Sequence, residues 1–214
     1  MIAPAAPPAK DDAERLAGVE LIAIGASAGG VEALDVLLRA LPSDCRAALV
    51  VVLHLLPDRS SRLPRLYADR CALALKEVED KEPVRAGTVY FAAPDYHVLI
   101  EPGRTFALSR DPAVNFSRPS IDVLFESAAW AYGEAMLGII LTGAASDGAA
   151  GLARVRREGG AAWIQDPARA AFGSMPAAAL RLAGADRMGS IEQIAAALAG
   201  FGKLTRSTRV ETDL

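Results

Sequence analysis

Cysteine is scarce in this 214-residue chain: Cys45 and Cys71 are its only two, too few for a disulfide framework or a multi-cysteine metal site. That usage suits a reducing compartment, so a cytoplasmic location is expected. No apolar run approaches the roughly 20 residues that span a bilayer. The first residues lack a basic leader, and Pro4, Pro7 and Pro8 interrupt any apolar stretch, so no export signal is read there. An excess of positive charge is also missing. Lys plus Arg number 23 against 26 Asp plus Glu, a formal net charge of −3, which argues against nucleic acid as the main partner. What the chain does have is hydrophobic residues at 52% with charged residues at 23%, a balance that excludes a disordered polymer. Its length against about 150 residues per domain favours one large domain with loose ends. The divisions expected are a flexible tail over 1–17, a catalytic domain over 18–202 and a polar tail over 203–214.

Between the tails, short apolar runs alternate with helical patterns, which predicts an α/β fold: a doubly wound, mainly parallel sheet flanked by helices. Val19 to Ile24 reads as a buried strand ending at Gly25, Val31 to Leu41 as a helix, and Ala47 to Leu53 as a second buried strand without alternation. From about Leu73 to Arg110 the runs Thr88–Phe91, His97–Ile100 and Thr105–Leu108 are separated by turn signals, predicting an antiparallel hairpin insert beside the sheet. The alternation then resumes. Ser120 is placed to cap a helix running to about Gly133, and Met136 to Leu141 is a strand that leads into Thr142-Gly143. A helix over Ala149–Arg157, a strand over Ala161–Ile164 and a helix opened by Met175-Pro176 follow. Ser190 with Gln193 forms a capping box for the last helix.

Ligands of doubly wound sheets bind beyond the carboxyl ends of the strands, so the residues just after each strand matter most. The first strand runs into Gly25-Ala-Ser27-Ala-Gly29-Gly30, the second ends at His54, and the strand over 136–141 leads to Asp147. A serine, a histidine and an aspartate on one sheet edge can supply a nucleophile, its base and a carboxylate that orients the base. Gly25-x-Ser27-x-Gly29 also fits a tight strand-to-helix elbow that leaves the hydroxyl exposed. The competing reading is a glycine turn for a nucleotide phosphate, which calls for an acidic residue at the end of the next strand; His54 stands there instead. His97, the other histidine, lies in the hairpin insert and reads as structural or as part of the rim. Asp147 could be a plain helix cap, while Asp122 and Asp166 are rival carboxylates. The order Ser…His…Asp excludes the α/β-hydrolase family, whose order is Ser…Asp…His.

Taken together, Gly25-Ala-Ser-Ala-Gly-Gly30, the histidine before Leu-Leu-Pro57, Arg118-Pro-Ser-Ile-Asp-Val-Leu-Phe125, Leu141-Thr-Gly143 with Asp147-Gly148-Ala-Ala-Gly151, and Gln165-Asp-Pro167 followed by Met175-Pro176 resemble the catalytic domain of chemotaxis protein-glutamate methylesterases of the CheB type. The resemblance covers about Val19 to Leu198. It implies a Ser/His/Asp triad of Ser27, His54 and Asp147, with Asp147 preferred to Asp166. It implies hydrolysis of glutamate 5-O-methyl esters on the cytoplasmic helices of chemoreceptors with release of methanol, together with glutamine deamidation in many members. No metal or cofactor is implied. Backbone N–H groups at Ala28 and Ala144 are the expected oxyanion donors.

Two departures from the family pattern stand out. The loop usually reads Gly-Met-Gly before the variable residue and the aspartate, whereas this chain has Gly143-Ala144-Ala145-Ser146. A left-handed backbone at Ala145 would cost on the order of 1 kcal/mol and displace the oxyanion donors. That concern keeps a second reading open, a non-catalytic chemosensory module of the same fold. Fewer than 20 residues precede the first strand, which leaves no room here for the receiver domain of typical members, and activity independent of a phosphodonor is expected. Arg59, Arg62 and Arg65 recur every third residue after His54; Arg59 and Arg62 are candidate docking residues for acidic receptor helices, against the plainer reading of a solvated basic face disturbed by Pro64.

Overall fold

The computed structural model describes residues 17–54 and 62–200, so the expected tails lie outside it apart from residue 17. Within it, β1 (Leu21–Ala26), α1 (Gly30–Arg39), β2 (Ala48–Leu53), α2 (Leu63–Tyr67), β3 (Ala74–Glu77), β4 (Thr88–Phe91), β5 (His97–Ile100) and β6 (Phe106–Ser109) follow in order. Then come α3 (Ile121–Tyr132), β7 (Met136–Ile140), α4 (Ala149–Arg157), β8 (Ala161–Gln165), α5 (Ser174–Ala183), β9 (Arg187–Gly189) and α6 (Ile191–Leu198). Seven strands form one sheet in the order β3-β4-β2-β1-β7-β8-β9, and every pairing in it is parallel.

Both faces of that sheet are covered, which is why its central strands read as unbroken apolar runs. All six residues of β1 are buried. Ile22, Ile24 and Ala26 pack with Leu34 and Leu37 of α1 and with Ile194 of α6 on one face, while Leu21 and Ala23 pack with the side of α3, α4 and α5 on the other. From β1 the chain moves to β2 on one side and returns later to β7 on the other. The sheet order therefore switches direction beside β1, and the carboxyl ends of β1, β2 and β7 open onto one crevice.

The hairpin insert is smaller than the sequence suggests. Among the described strands only β5 and β6 pair antiparallel, with an isolated antiparallel bridge from Pro83 to Thr105; Thr88–Phe91 and Ala74–Glu77 pair parallel in the main sheet. Val89 and Phe91 bury into one core and Tyr90 into the other, so this short run is apolar because it is covered on both faces, a feature the neighbouring turn signals mask. The three-residue β9 escapes sequence reading because it is too short to show a period. Gly25, expected just past the first strand, lies inside β1, where a Cβ would come within 2.5 Å of Ile121. Its missing side chain lets the N-terminus of α3 press against the strand. Among the described residues no helix is long and apolar enough to cross a membrane.

Candidate active site

Register places two of the three expected catalytic residues side by side. Ala26 pairs with Leu53, and the His54 backbone N–H donates to Ala26 O at 3.0 Å, so Ser27 and His54 follow neighbouring strand ends about 4.8 Å apart. On the other flank the Ser27 N–H donates to Thr142 O at 3.0 Å, which ties the serine to the loop after β7. The turn between Ser27 and α1 needs glycine. Gly29 is left-handed at φ 74°, and a Cβ on Gly30 would stand 2.5 Å from a Leu53 methyl. The Ser27 hydroxyl is partly exposed and makes no hydrogen bond to another described residue. Ala28 N–H, and Ala144 N–H across the crevice, likewise have no acceptor among the described residues, whereas Gly143 N–H is taken by Phe172 O at 3.0 Å.

Asp147 is fully buried, and its Oδ2 lies 3.0 Å from His54 Nε2. Four further groups donate to it: Ile121 N–H to Oδ2 at 2.6 Å, and Ser120 Oγ, Asn115 Nδ2 and Asp122 N–H to Oδ1 at 2.8, 3.1 and 3.2 Å. The carboxylate therefore caps the N-terminus of α3, a helix other than its own, where free N–H groups and the helix dipole favour an anion. Burial pushes its pKa up, but the hydrogen bonds from His54, Ile121, Asn115 and Ser120 overcome that and hold it at about 2. An ionised Asp147 requires the proton of neutral His54 on Nε2, which leaves Nδ1 as the acceptor for a serine proton. This is the reverse of the arrangement in which the carboxylate holds Nδ1.

The rival groups fall elsewhere. Asp166 accepts from Ala168 N–H at 2.9 Å and pairs with Arg169, away from His54. Asp122 is buried behind Asp147; burial raises its pKa, and Gly151 N–H and Asn115 offset this only in part. His97 is 1% exposed, with Nε2 at 3.2 Å from Pro112 O and Nδ1 accepting from Ser120 N–H at 3.2 Å. It is a structural imidazole that holds Ser120. The Ser120 side chain does not cap its own helix as the sequence suggests, because its hydroxyl is spent on Asp147. Neither Ala144, Ala145 nor Ser146 is left-handed, so the conformational cost expected at Ala145 does not arise.

Arg59 lies outside the described residues. Arg62 is exposed and precedes α2, which starts only at Leu63 with Pro64 in its first turn, so one helix does not carry all three arginines. Sequence reasoning missed Asn115, which no motif marks, and the supports of the 142–147 loop. Those supports lie in quoted motifs: Gln165 Oε1 accepts Thr142 N–H at 2.8 Å, and Met175 N–H donates to Gly143 O at 2.9 Å. Among the described residues no group of three His, Cys, Asp or Glu is placed to hold a metal.

A family profile described as CheB methylesterase matches residues 22–198. A Leptospira interrogans protein named as a putative protein-glutamate methylesterase/protein-glutamine glutaminase is 44% identical over 176 residues, covering 82% of this chain and 91% of that protein. An Anaeromyxobacter dehalogenans protein-glutamate methylesterase/protein-glutamine glutaminase is 39% identical, covering 86% of this chain but 54% of the relative, so the chain spans about half of some relatives and nearly all of others. The crystal structure of the Thermotoga maritima CheB methylesterase catalytic domain superposes with a TM-score of 0.80 at 30% identity, covering 85% of this chain and 97% of that one. Matched over most of its length in profile, in relatives and in fold, this chain belongs to the CheB methylesterase family.

Proposed function

We propose that the chain hydrolyses glutamate 5-O-methyl esters on the cytoplasmic helices of chemoreceptors, with Ser27 as nucleophile, His54 as base and Asp147 as the carboxylate that orients it. The observation that carries this reading is the 3.0 Å contact between His54 Nε2 and the buried Asp147 carboxylate, at the strand end beside Ser27. As Ser27 Oγ attacks the ester carbonyl, its proton passes to His54 Nδ1 and the imidazolium is held by Asp147. The developing oxyanion faces the free N–H groups of Ala28 and Ala144. His54 then gives its proton to the departing methoxide, methanol leaves, and water cleaves the acyl-enzyme with His54 again as base, returning Glu and free Ser27. A glutamine side chain would follow the same course with ammonia as the leaving group. The chain works without metal or cofactor in this scheme and needs none for its proton transfers. Arg62, exposed at the start of α2, docks acidic receptor surface, and the cytoplasm is where such helices are met.

Methanol release from methylated receptor membranes tests the reading. The parent chain is expected to release methanol and Ser27→Ala to lose at least about a thousandfold in kcat. Equal release by both proteins would remove Ser27 and the triad with it.

A further inference from the structure

Asn115 comes from a surface turn, yet its side chain reaches the most buried carboxylate among the described residues. Nδ2 donates one hydrogen to Asp122 Oδ2 at 2.8 Å and the other to Asp147 Oδ1 at 3.1 Å. We infer that Asn115 is a positioning residue of this active site, whose single amide group joins the two carboxylates and fixes which oxygen Asp147 presents to His54. The inference builds on the proposed esterase for its kinetic readout alone.

Three observations carry it. The two oxygens of Asp147 have separate partners: Oδ2 takes His54 and Ile121 N–H, while Oδ1 takes Asn115, Ser120 and Asp122 N–H. Holding Oδ1 stops the carboxylate from turning, so Oδ2 stays aimed at the imidazole. Next, Asp122 and Asp147 are neighbouring buried carboxyls; burial first, and the Asp147 charge after it, raise the Asp122 pKa, and the Asn115 hydrogens lie between the two. Finally, the turn itself is costly. Val114 and Ser117 bond reciprocally through N–H and O at 3.1 and 2.9 Å, with Asn115 at φ 50° and Phe116 at φ 61° between them. Such a turn, left-handed at both central positions, suits Asn first but Gly second. Phe116 gains nothing by burial, since its side chain is fully exposed. The turn is therefore held by what Asn115 reaches, and by Arg118, which donates to Asp95 Oδ1 and to the carbonyls of Arg110 and Asp111.

Asn115→Asp keeps the shape and removes both donors. Its new carboxyl would face Asp122 and, beyond it, Glu126 from α3, Asp147 from the β7–α4 loop with His54 behind it, and Arg181 of α5 across a hollow of about 390 Å³ that Asn115, Asp122 and Ser146 also line. With two buried carboxylates adjacent, that carboxyl takes up a proton as pH falls toward neutral and regains one donor. The expected result is a kcat about tenfold or more below the parent at pH 8.5, with the ratio of variant to parent rising as pH is lowered to 6. Asn115→Ala loses a similar factor in kcat rather than in KM, with no such recovery. An NMR spectrum of the His54 ring at pH 8.5 reads the same geometry without turnover, and both variants are expected to move its Nε2–H resonance, because the carboxylate that this hydrogen meets is no longer held at Oδ1. If both variants matched the parent in kcat at every pH and in the His54 Nε2–H resonance, the assignment would be overturned. A parent without esterase activity would defeat the proposed function, and the His54 Nε2–H resonance would still decide the role of Asn115.

Discussion

A carboxyl at the depth of Asp147 would stay protonated without partners; five donors keep it ionised, and that difference makes acid stability a measure of the site. Its folded pKa of about 2 lies below the ordinary 3.8. The stabilisation is therefore complete above about pH 4 and is lost as pH falls through about 2, and the shift corresponds to about 2 kcal/mol. Asp147→Asn keeps the volume but sets an amide hydrogen against one of the donors around it. Its kcat is expected to fall by about a thousandfold to ten-thousandfold, as when the orienting carboxylate of a serine hydrolase is neutralised. Urea midpoints measured from pH 5 to pH 2 should fall less steeply for the variant than for the parent; parallel curves would show that Asp147 carries no such linkage. Asp122 acts in the opposite sense, since its raised pKa costs stability at neutral pH and returns it on acidification.

The site depends on how closely three elements approach. The N-terminus of α3 reaches Asp147 because glycine stands at three places where its first turns touch a neighbour. A Cβ on Gly25 or Gly148 would come within 2.5–2.7 Å of Ile121, and one on Gly151 within 2.6 Å of Phe125. Gly148 also holds φ 91° directly after Asp147. Gly148→Ala combines overpacking with a strained backbone and is expected to cost about 2 kcal/mol or more. For a domain of this size that lowers Tm by about 4–8 °C. The added Cβ would displace Ile140 and Ile121, and because the Ile121 N–H holds Asp147 Oδ2, kcat should fall as well. A calorimetric scan with an assay on the same sample checks both, and an unchanged Tm would mean that Ile121 yields freely. The Gly-rich motifs were legible as sequence, but that their common purpose is to admit one helix was not, since the partners of Gly25, Gly148 and Gly151 lie far away along the chain.

Across the whole molecule, the crevice beside β1 gathers residues from positions 27, 54, 115 and 147 onto one edge, as a doubly wound parallel sheet does at its switch point. The net charge of −3 gives no overall attraction to an acidic partner, so the proposed docking would rest on local cations such as Arg62. Arg62→Glu is expected to lower kcat/KM on receptor membranes severalfold at low ionic strength, and the deficit should shrink as salt rises and the Debye length falls below about 10 Å. A salt series on parent and variant distinguishes this from misfolding, and an effect absent at low salt would remove Arg62 from docking.

By itself the sequence determined the alternation of strand and helix, the strand ends at which Ser27, His54 and Asp147 stand, and the capping box at Ser190 and Gln193, whose two reciprocal hydrogen bonds form as read. These are local or periodic signals, carried by neighbours a few residues apart. Only the tertiary structure decided that Thr88–Phe91 joins the parallel sheet and that the Ser120 hydroxyl serves Asp147 instead of its own helix. It alone brought Asn115 to the Asp147 carboxylate. Each of those outcomes rests on a contact between residues well separated in sequence, and such contacts exist only once the cores on both faces of the sheet have closed.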